Sequence, residues 1–259
     1  MQAKIEPGNV NCVQISPTIQ ATKSNFTRAH GGKSPAYLSY FENLNSCKII
    51  YDQIQSEQAS RFYKKRNRNI IILIEDEIET LSNFRWMTLG QIKCLMQIDN
   101  LVNMDTRTVL SGLPLFFNCI ADVELENISS FFNDKALFKS IFKTNPSKYL
   151  CSINRILNDY KMFSDEHTVL IPLSQLNHWS FSDDGIGCQE RSDFDVRFYD
   201  IEIEGREVRH WTQPLFRAIG SATFGLFTRV IDGVREFLIK AMPEIGSFDL
   251  VEIAIIDYQ

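Results

Sequence analysis

The spacing of apolar residues divides the chain into short elements. Val13 and Ile15 alternate with polar neighbours and run into Pro17, the pattern of a short strand that ends in a turn. Pro7-Gly8-Asn9 upstream reads as a hairpin-like turn. The polar stretch from Thr22 to Ser34, with Gly31-Gly32 inside it, is expected to be a loop. Between Cys47 and Lys65 the spacing of Tyr51, Ile54 and Phe62 predicts a helix, with Gln53, Glu57 and Arg61 recurring every four residues along another face. Ile70 to Ile74 is a continuous apolar run, predicted to be a buried strand. Thr88 to Ile98 reads as a second helix, with Thr88 as its cap and Gln91 completing a capping box. A short third helix is expected after Asp105.

Residues 118–160 alternate between polar and aromatic and read as a junction, broken at Asn145-Pro146-Ser147, with a helix predicted from Ser152 to Tyr160. Beyond it the pattern turns to strands: Asp195 to Glu202, Phe224 to Val230, Glu236 to Ala241 and Leu250 to Ile256. Asp183-Asp184-Gly185 marks a turn, and Asp232-Gly233 between two strand-like runs is a hairpin signal. The fold class is α+β, in three stretches: 1–117, a linking 118–160, and 161–259.

An internal repeat adds to this. At a constant offset of 238, Ala3, Glu6, Gly8, Val13 and Ile15 fall on the identical residues Ala241, Glu244, Gly246, Val251 and Ile253. The repeat implies that the sequence starts near the end of one unit's first sheet and stops at the matching place in the next, so truncation at both ends is expected. The alternative is a single complete domain whose last strand reaches the terminus.

The composition is that of an ordinary globular chain, with 44% hydrophobic and 23% charged residues and 19 phenylalanines. Its 27 basic and 32 acidic residues give a net charge of -5, which argues against a nucleic-acid partner. No apolar run has membrane-spanning length and the first residues lack the apolar core of a signal peptide, so a cytoplasmic location is expected. The six cysteines are widely spaced and, with four scattered histidines, form no metal motif, so no metal is expected. Dinucleotide fingerprints, phosphate loops and nucleophile elbows are missing from the sequence.

Three polar islands carry candidate chemistry. The first holds Asn25, Arg28 and His30; the second runs from Gln55 through Glu57 to Arg61, Tyr63 and the basic Lys64-Lys65-Arg66-Asn67-Arg68; the third is Asn103 to Thr108 with Asp105 and Arg107. Arginine offers a planar, bidentate donor to a diphosphate or keto oxygen, which makes Arg61, Arg66, Arg68 and Arg107 candidates. The plainer reading is a solvated face on which Glu57 pairs with Arg61. His30 is a candidate for proton transfer near neutral pH, against the plainer reading of a structural or exposed loop histidine, and Glu57 is a base if its surroundings are apolar. Asp105 is otherwise a helix cap. Trp211 beside Gln213-Pro214 either stacks on a nucleobase or anchors a sheet corner.

Taken together, these islands resemble the NDP-hexose 2,3-dehydratase family. The resemblance rests on Ala3-Lys4-Ile5-Glu6-Pro7-Gly8-Asn9, residues 16–22, Ser24 to Arg28, Gln55-Ser56-Glu57-Gln58, Lys65-Arg66-Asn67-Arg68-Asn69 and Val102 to Leu110. It continues through Arg206-Glu207-Val208, Trp211 with Gln213-Pro214-Leu215, and Ile231 to Val234, and is weakest at 118–158. It implies tandem Nudix-like units, here the latter part of one and the front of the next, without the hydrolase signature. It also implies an NDP-4-keto-6-deoxyhexose substrate, no cofactor, a homodimer in the full-length form and a role in deoxysugar biosynthesis. Under that resemblance Glu57, His30 and Tyr63 become proton-transfer candidates. Lys4, Asn25, Arg28, Arg61, Arg66, Arg68, Asn69, Asp105, Arg107, Trp211 and Gln213 become substrate-pocket candidates. Two other readings stand beside the enzyme: an inactive piece that still binds sugar nucleotide, and a structural or protein-interaction remnant.

Overall fold

The computed structural model describes residues 2–5, 13–28, 32–57, 61–113, 122–142, 149–165, 167–190, 192–204, 207–254 and 256–257. The chain forms two compact units. One comprises Met1–Gln53, Arg68–Pro114 and Leu176–Ile219; the other comprises Ile54–Asn67, Leu115–Gln175 and Gly220–Gln259.

In the first unit, strands β1 (Gln2–Ile5) and β2 (Val13–Ser16) form an antiparallel hairpin in which Ala3 faces Ile15 and Ile5 faces Val13. The stretch expected to be a loop after Thr22 contains a one-turn helix, α1 (Lys23–Phe26), because Asn25 Oδ1 accepts from both the backbone N–H and the hydroxyl of Thr22. Helix α2 (Leu38–Glu42) follows Tyr37, which stands in the left-handed region at φ 63. The Tyr37 ring meets Phe84 edge-on at 4.9 Å and its hydroxyl donates to Glu79 O at 2.7 Å. Leu38, Phe84, Ile92 and Val102 are the buried apolar residues of this region.

The helix expected over Cys47 to Lys65 is instead a strand, β3 (Lys48–Ser56), paired with β4 (Arg66–Leu73). Ile49, Ile50, Tyr51 and Ile54 are β-formers, and their short run fits either period. Partners distant in sequence decide it: Asp52 takes two bonds from the Arg68 guanidinium across the hairpin. The expected Ile70–Ile74 strand lies largely within β4, but it is not the buried strand its apolar run predicts: residues 70–72 are half-buried and Leu73 is exposed.

Helix α3 (Leu89–Leu95) begins as expected, with Thr88 Oγ1 accepting from Gln91 N and Gln91 Oε1 accepting from Thr88 N. Helix α4 (Met104–Ser111) is capped by Asn103, whose side chain accepts from Asp105 N at 2.8 Å. Asp105 is therefore not the cap; it sits in the first turn, where a carboxylate suits the helix dipole.

Helices α5 (Asp122–Ser129), α6 (Lys135–Phe142) and α7 (Leu150–Phe163) belong to the second unit. The last contains the helix expected at 152–160. Phe138 of α6 is buried between Phe132 and Phe142, at 4.5 and 4.8 Å.

Strands β5 (Trp179–Ser182), β6 (Gly185–Cys188), β7 (Phe194–Glu202) and β8 (His210–Ala218) then form a four-stranded antiparallel meander in the first unit. On one face Trp179, Phe194 and Phe216 pack in series, the first pair tilted and the second edge-on. On the other, buried Asp195 accepts from Arg217 Nε at 2.9 Å and Arg197 Nε at 3.1 Å. The Arg217 bond holds this carboxyl below its ordinary value, against burial, which pushes it up, and Arg197 adds to the lowering.

The remaining strands are short: β9 (Phe224–Gly225), β10 (Thr228–Ile231), β11 (Val234–Phe237), β12 (Lys240–Pro243), β13 (Val251–Ala254) and β14 (Ile256–Asp257). The turn between β10 and β11 has Asp232 at φ 52 and Gly233 at φ 72, the left-handed pair that a two-residue hairpin requires. β12 and β13 pair with Ala241 facing Ile253 and Pro243 facing Val251. Shifted by 238 residues, this is the register of β1 and β2, so the sequence repeat is a repeat of hairpins with the same pairing. Among the described residues, no helix is long and apolar enough to cross a membrane.

Candidate functional site

The second polar island forms the tip of the β3–β4 hairpin. Glu57 N–H donates to Lys65 O at 3.2 Å, which carries the ladder one step past the end of β3. Its carboxylate is mostly covered, with 16% of the side chain exposed. One oxygen, Oε2, receives both Lys65 Nζ at 2.7 Å and the Asn67 side-chain amide. Glu57 is thus not the exposed helix partner of Arg61; the strand brings Lys65 and Asn67 to it instead. Among the described residues Oε1 receives no bond and stays available as an acceptor.

Aromatic rings support the basic residues around it. Lys65 Nζ lies 4.6 Å from the Phe62 ring centre, and Lys64 Nζ lies 5.1 Å from Tyr63. The Arg66 guanidinium stacks 4.2 Å over Phe248. Lys64, at φ 53, donates its N–H to Gly246 O at 2.6 Å, so the tip rests on the turn of the second repeated hairpin. Tyr63 is 48% exposed, and Arg61 is exposed in the turn leading to it. These residues all lie in the second unit.

The third island sits against β2 in the first unit. Asn103 Nδ2 donates to Gln14 Oε1 at 3.0 Å, the Gln20 side-chain amide donates to Asp105 Oδ2, and Thr106 Oγ1 donates to Ile15 O at 3.1 Å. Asp105 is half-buried and Arg107 is exposed on the same helix. Gln14 and Gln20 thus extend a site that the sequence marked only from Asn103 onward.

Other candidates are placed one by one. Arg68 is held by Asp52, whose carboxyl it lowers chiefly through their hydrogen bond. Asn69 is buried on β4. Asn25 spends its side-chain oxygen on Thr22, and Arg28, at φ 51, ends that turn exposed. Lys4 lies on β1 opposite Gln14. Trp211 is half-buried in β8 and its Nε1 donates to Gln213 Oε1 at 2.9 Å, which makes it part of a strand and not a corner. His30 lies outside the described residues.

Glu57, Arg61, Tyr63 and Arg66 therefore share one unit, while Arg68, Asn69, Asp105, Arg107, Trp211 and Gln213 share the other. Lys65 and Asn67, which hold Glu57, were not among the candidates. Their signal was present in the Lys65 to Asn69 motif, but a helical reading placed them beyond the reach of Glu57. Among the described residues no three His, Cys, Asp or Glu side chains converge as a metal would need.

The islands that build this geometry lie within a known pattern. Residues 1–113 and 151–255 match the NDP-hexose 2,3-dehydratase family. The chain belongs to that family. The unmatched interval covers most of the stretch where the sequence motifs also thin out. Similar curated proteins are named dTDP-4-dehydro-6-deoxy-alpha-D-glucopyranose 2,3-dehydratase. That of Saccharopolyspora spinosa is 38% identical over 254 residues, 98% of this chain and 52% of the relative. That of Streptomyces violaceoruber is 36% identical over 259 residues, covering 98% and 54%, and that of Amycolatopsis orientalis is 36% identical over 254 residues, covering 98% and 49%. This NDP-hexose 2,3-dehydratase family member spans about half the length of the curated relatives it matches.

Proposed function

We propose that this chain carries the chemistry of a 2,3-dehydratase acting on a nucleoside diphosphate 4-keto-6-deoxyglucose. The family match over both halves of the sequence carries this reading. The Glu57 carboxylate, fixed through one oxygen and open at the other, supports it.

The 4-keto group makes the C3 hydrogen acidic, because the charge left behind spreads onto O4. Glu57 Oε1 takes that proton, and His30 is the alternative base. A cation stabilises the enolate, and Lys65 or a neighbouring arginine supplies it. The C2–O bond then breaks as Tyr63 donates a proton to the departing hydroxyl. One water leaves, a C2–C3 double bond forms, and the resulting enol tautomerises to a 3,4-diketo-2,6-dideoxyhexose. No hydride moves in this sequence.

In the second unit Arg61 and Arg66, beside Glu57, are the diphosphate candidates. The first unit, taken by itself, offers Lys4, Arg28 and Arg68 for a diphosphate, Asn25, Asn69, Asp105 and Arg107 for a sugar, and Trp211 with Gln213 for a base. In this reading the chain carries parts of two tandem Nudix-like units, 1–117 and 161–259, joined by 118–160. The full-length enzyme is a cytoplasmic homodimer in deoxysugar synthesis.

Glu57 is tested by running the reaction in D2O and following wash-in at C3 of the substrate by NMR. Glu57→Gln is expected to slow exchange by about 10²- to 10⁴-fold, the range for a lost general base, with substrate binding retained. Unchanged exchange in that variant removes Glu57 from the mechanism and passes the role to His30.

A further inference from the structure

The two repeated hairpins differ in what lies along their outer edges. In the first, the N–H of Ile15 donates away from β1 to Leu101 O at 2.7 Å, and its carbonyl accepts from Asn103 N–H at 3.0 Å. Thr106 Oγ1 gives the same carbonyl a second bond, at 3.1 Å. Leu101 to Asn103 is therefore a parallel segment laid beside β2, with Val102 bridged to Ile15. Val102 is 5% exposed and Thr106 fully buried, so the segment closes that side of the hairpin.

In the second hairpin Glu244 N–H donates to Leu250 O at 2.9 Å. Bonded and non-bonded pairs alternate along an antiparallel ladder, so this bond makes Met242–Glu252 a bonded pair and Ala241–Ile253 a non-bonded one. The N–H and C=O of Ile253 then face away from β12, as those of Ile15 face away from β1. Among the described residues nothing is bonded to either group. The Ile253 side chain is 50% exposed. Beside it opens a cavity of about 280 Å³ lined by Ile153, Ile156 and Tyr160 of α7 and by Ile239, Lys240, Ala241 and Ile253, apolar but for Lys240.

We infer that the outer edge of β13 at Ile253 is a docking site for an extended polypeptide segment of the pattern apolar–Val–Asn–x–x–Thr, lying parallel to β13 and leading into a helix. The occupant is a segment outside these 259 residues, the counterpart of Leu101 to Thr106. Its first carbonyl accepts from Ile253 N–H, its Asn N–H donates to Ile253 O, and its Thr hydroxyl occupies the remaining lone pair. Its Val fills apolar space at the α7 groove. The identical register of the two hairpins sets these positions, and strand addition to an open edge is a general mode of peptide recognition. The curated relatives are about twice as long as this chain, and so have length from which such a segment can come.

The test leaves the chain unaltered and uses a capped peptide with the sequence of residues 101–111 as the probe, read by residue-resolved amide hydrogen exchange. Without peptide, Ile15 is expected to exchange at least about tenfold more slowly than Ile253, because only Ile15 has its acceptor in place. At about 1 mM peptide, where weak peptide ligands bind, Ile253 slows by about tenfold, and a peptide with Asp in place of its Val has no such effect. Three results overturn the inference. Ile253 is already protected without peptide, whether by the same chain or by a second copy at high concentration. Ile253 stays unprotected at saturating peptide. Or the Asp-bearing peptide protects it equally.

Discussion

At the scale of single residues, Glu57 is fixed by where its donors sit. Lys65 and Asn67 both bind Oε2, a geometry that anchors the carboxylate without closing Oε1. Removing one anchor should therefore act differently from removing the proposed base. Asn67→Ala is expected to lower kcat by roughly tenfold through misplacement while proton exchange at C3 persists, whereas Glu57→Gln slows that exchange by about 10²- to 10⁴-fold. The same D2O experiment separates the two. Asp195 supplies a second residue-scale prediction. Arg217 holds its carboxyl below the ordinary value, so its contribution to stability is present above about pH 4 and is lost as the pH falls through the lowered value. Urea midpoints of Asp195→Asn are expected to lie below the parent at pH 7 and to change less than the parent's between about pH 4 and pH 2. Of this residue-level detail the sequence carried the residue types and their motifs. It did not carry the pairings, because Glu57–Asn67, Gln20–Asp105 and Asp195–Arg217 join positions far apart along the chain.

At the scale of elements, local signals were legible where local bonds decide the structure. Thr88 and Gln91 cap α3 reciprocally, and Asp232-Gly233 takes the left-handed turn that the pair favours. Thr88→Ala removes one of these bonds and is expected to cost about 1 kcal/mol, measured as a shift of the urea midpoint at unchanged slope. β3 was misread for the complementary reason. Its isoleucines and tyrosine satisfy a helical spacing as well as a strand, and only β4, reached through a turn, resolves the choice. The prediction that follows is specific to a strand. Combining Asp52→Arg with Arg68→Asp reverses the pair and should restore the stability lost in either single change, read as recovery of the urea midpoint, with the small amplitude of an exposed pair. A helix over 47–65 predicts no such rescue. Helices α5 and α6 were missed for different reasons: α6 carried a legible signal in Phe138, Ile141 and Phe142 at helical spacing, whereas α5 mixes polar and apolar residues too closely for a clear stripe.

At the scale of the whole molecule, the most informative sequence feature was the offset of 238. Five identities became two hairpins of one register, because strand pairing within a hairpin is set by a few neighbouring residues. The interleaving of the two compact units was not legible, since Ile54–Asn67 joins the second unit from within a hairpin whose base belongs to the first. The central claim is that these elements carry dehydratase chemistry. It is tested most directly by incubating the purified chain with a nucleoside diphosphate 4-keto-6-deoxyglucose, a 3-ketoreductase and its reductant, and following the sugar nucleotide by mass. The account predicts a product that has lost one oxygen from C2 and forms only with the chain present, at a rate cut sharply by Glu57→Gln. A folded sample that binds the substrate yet leaves its C2 oxygen in place, with no deuterium entering at C3, contradicts it.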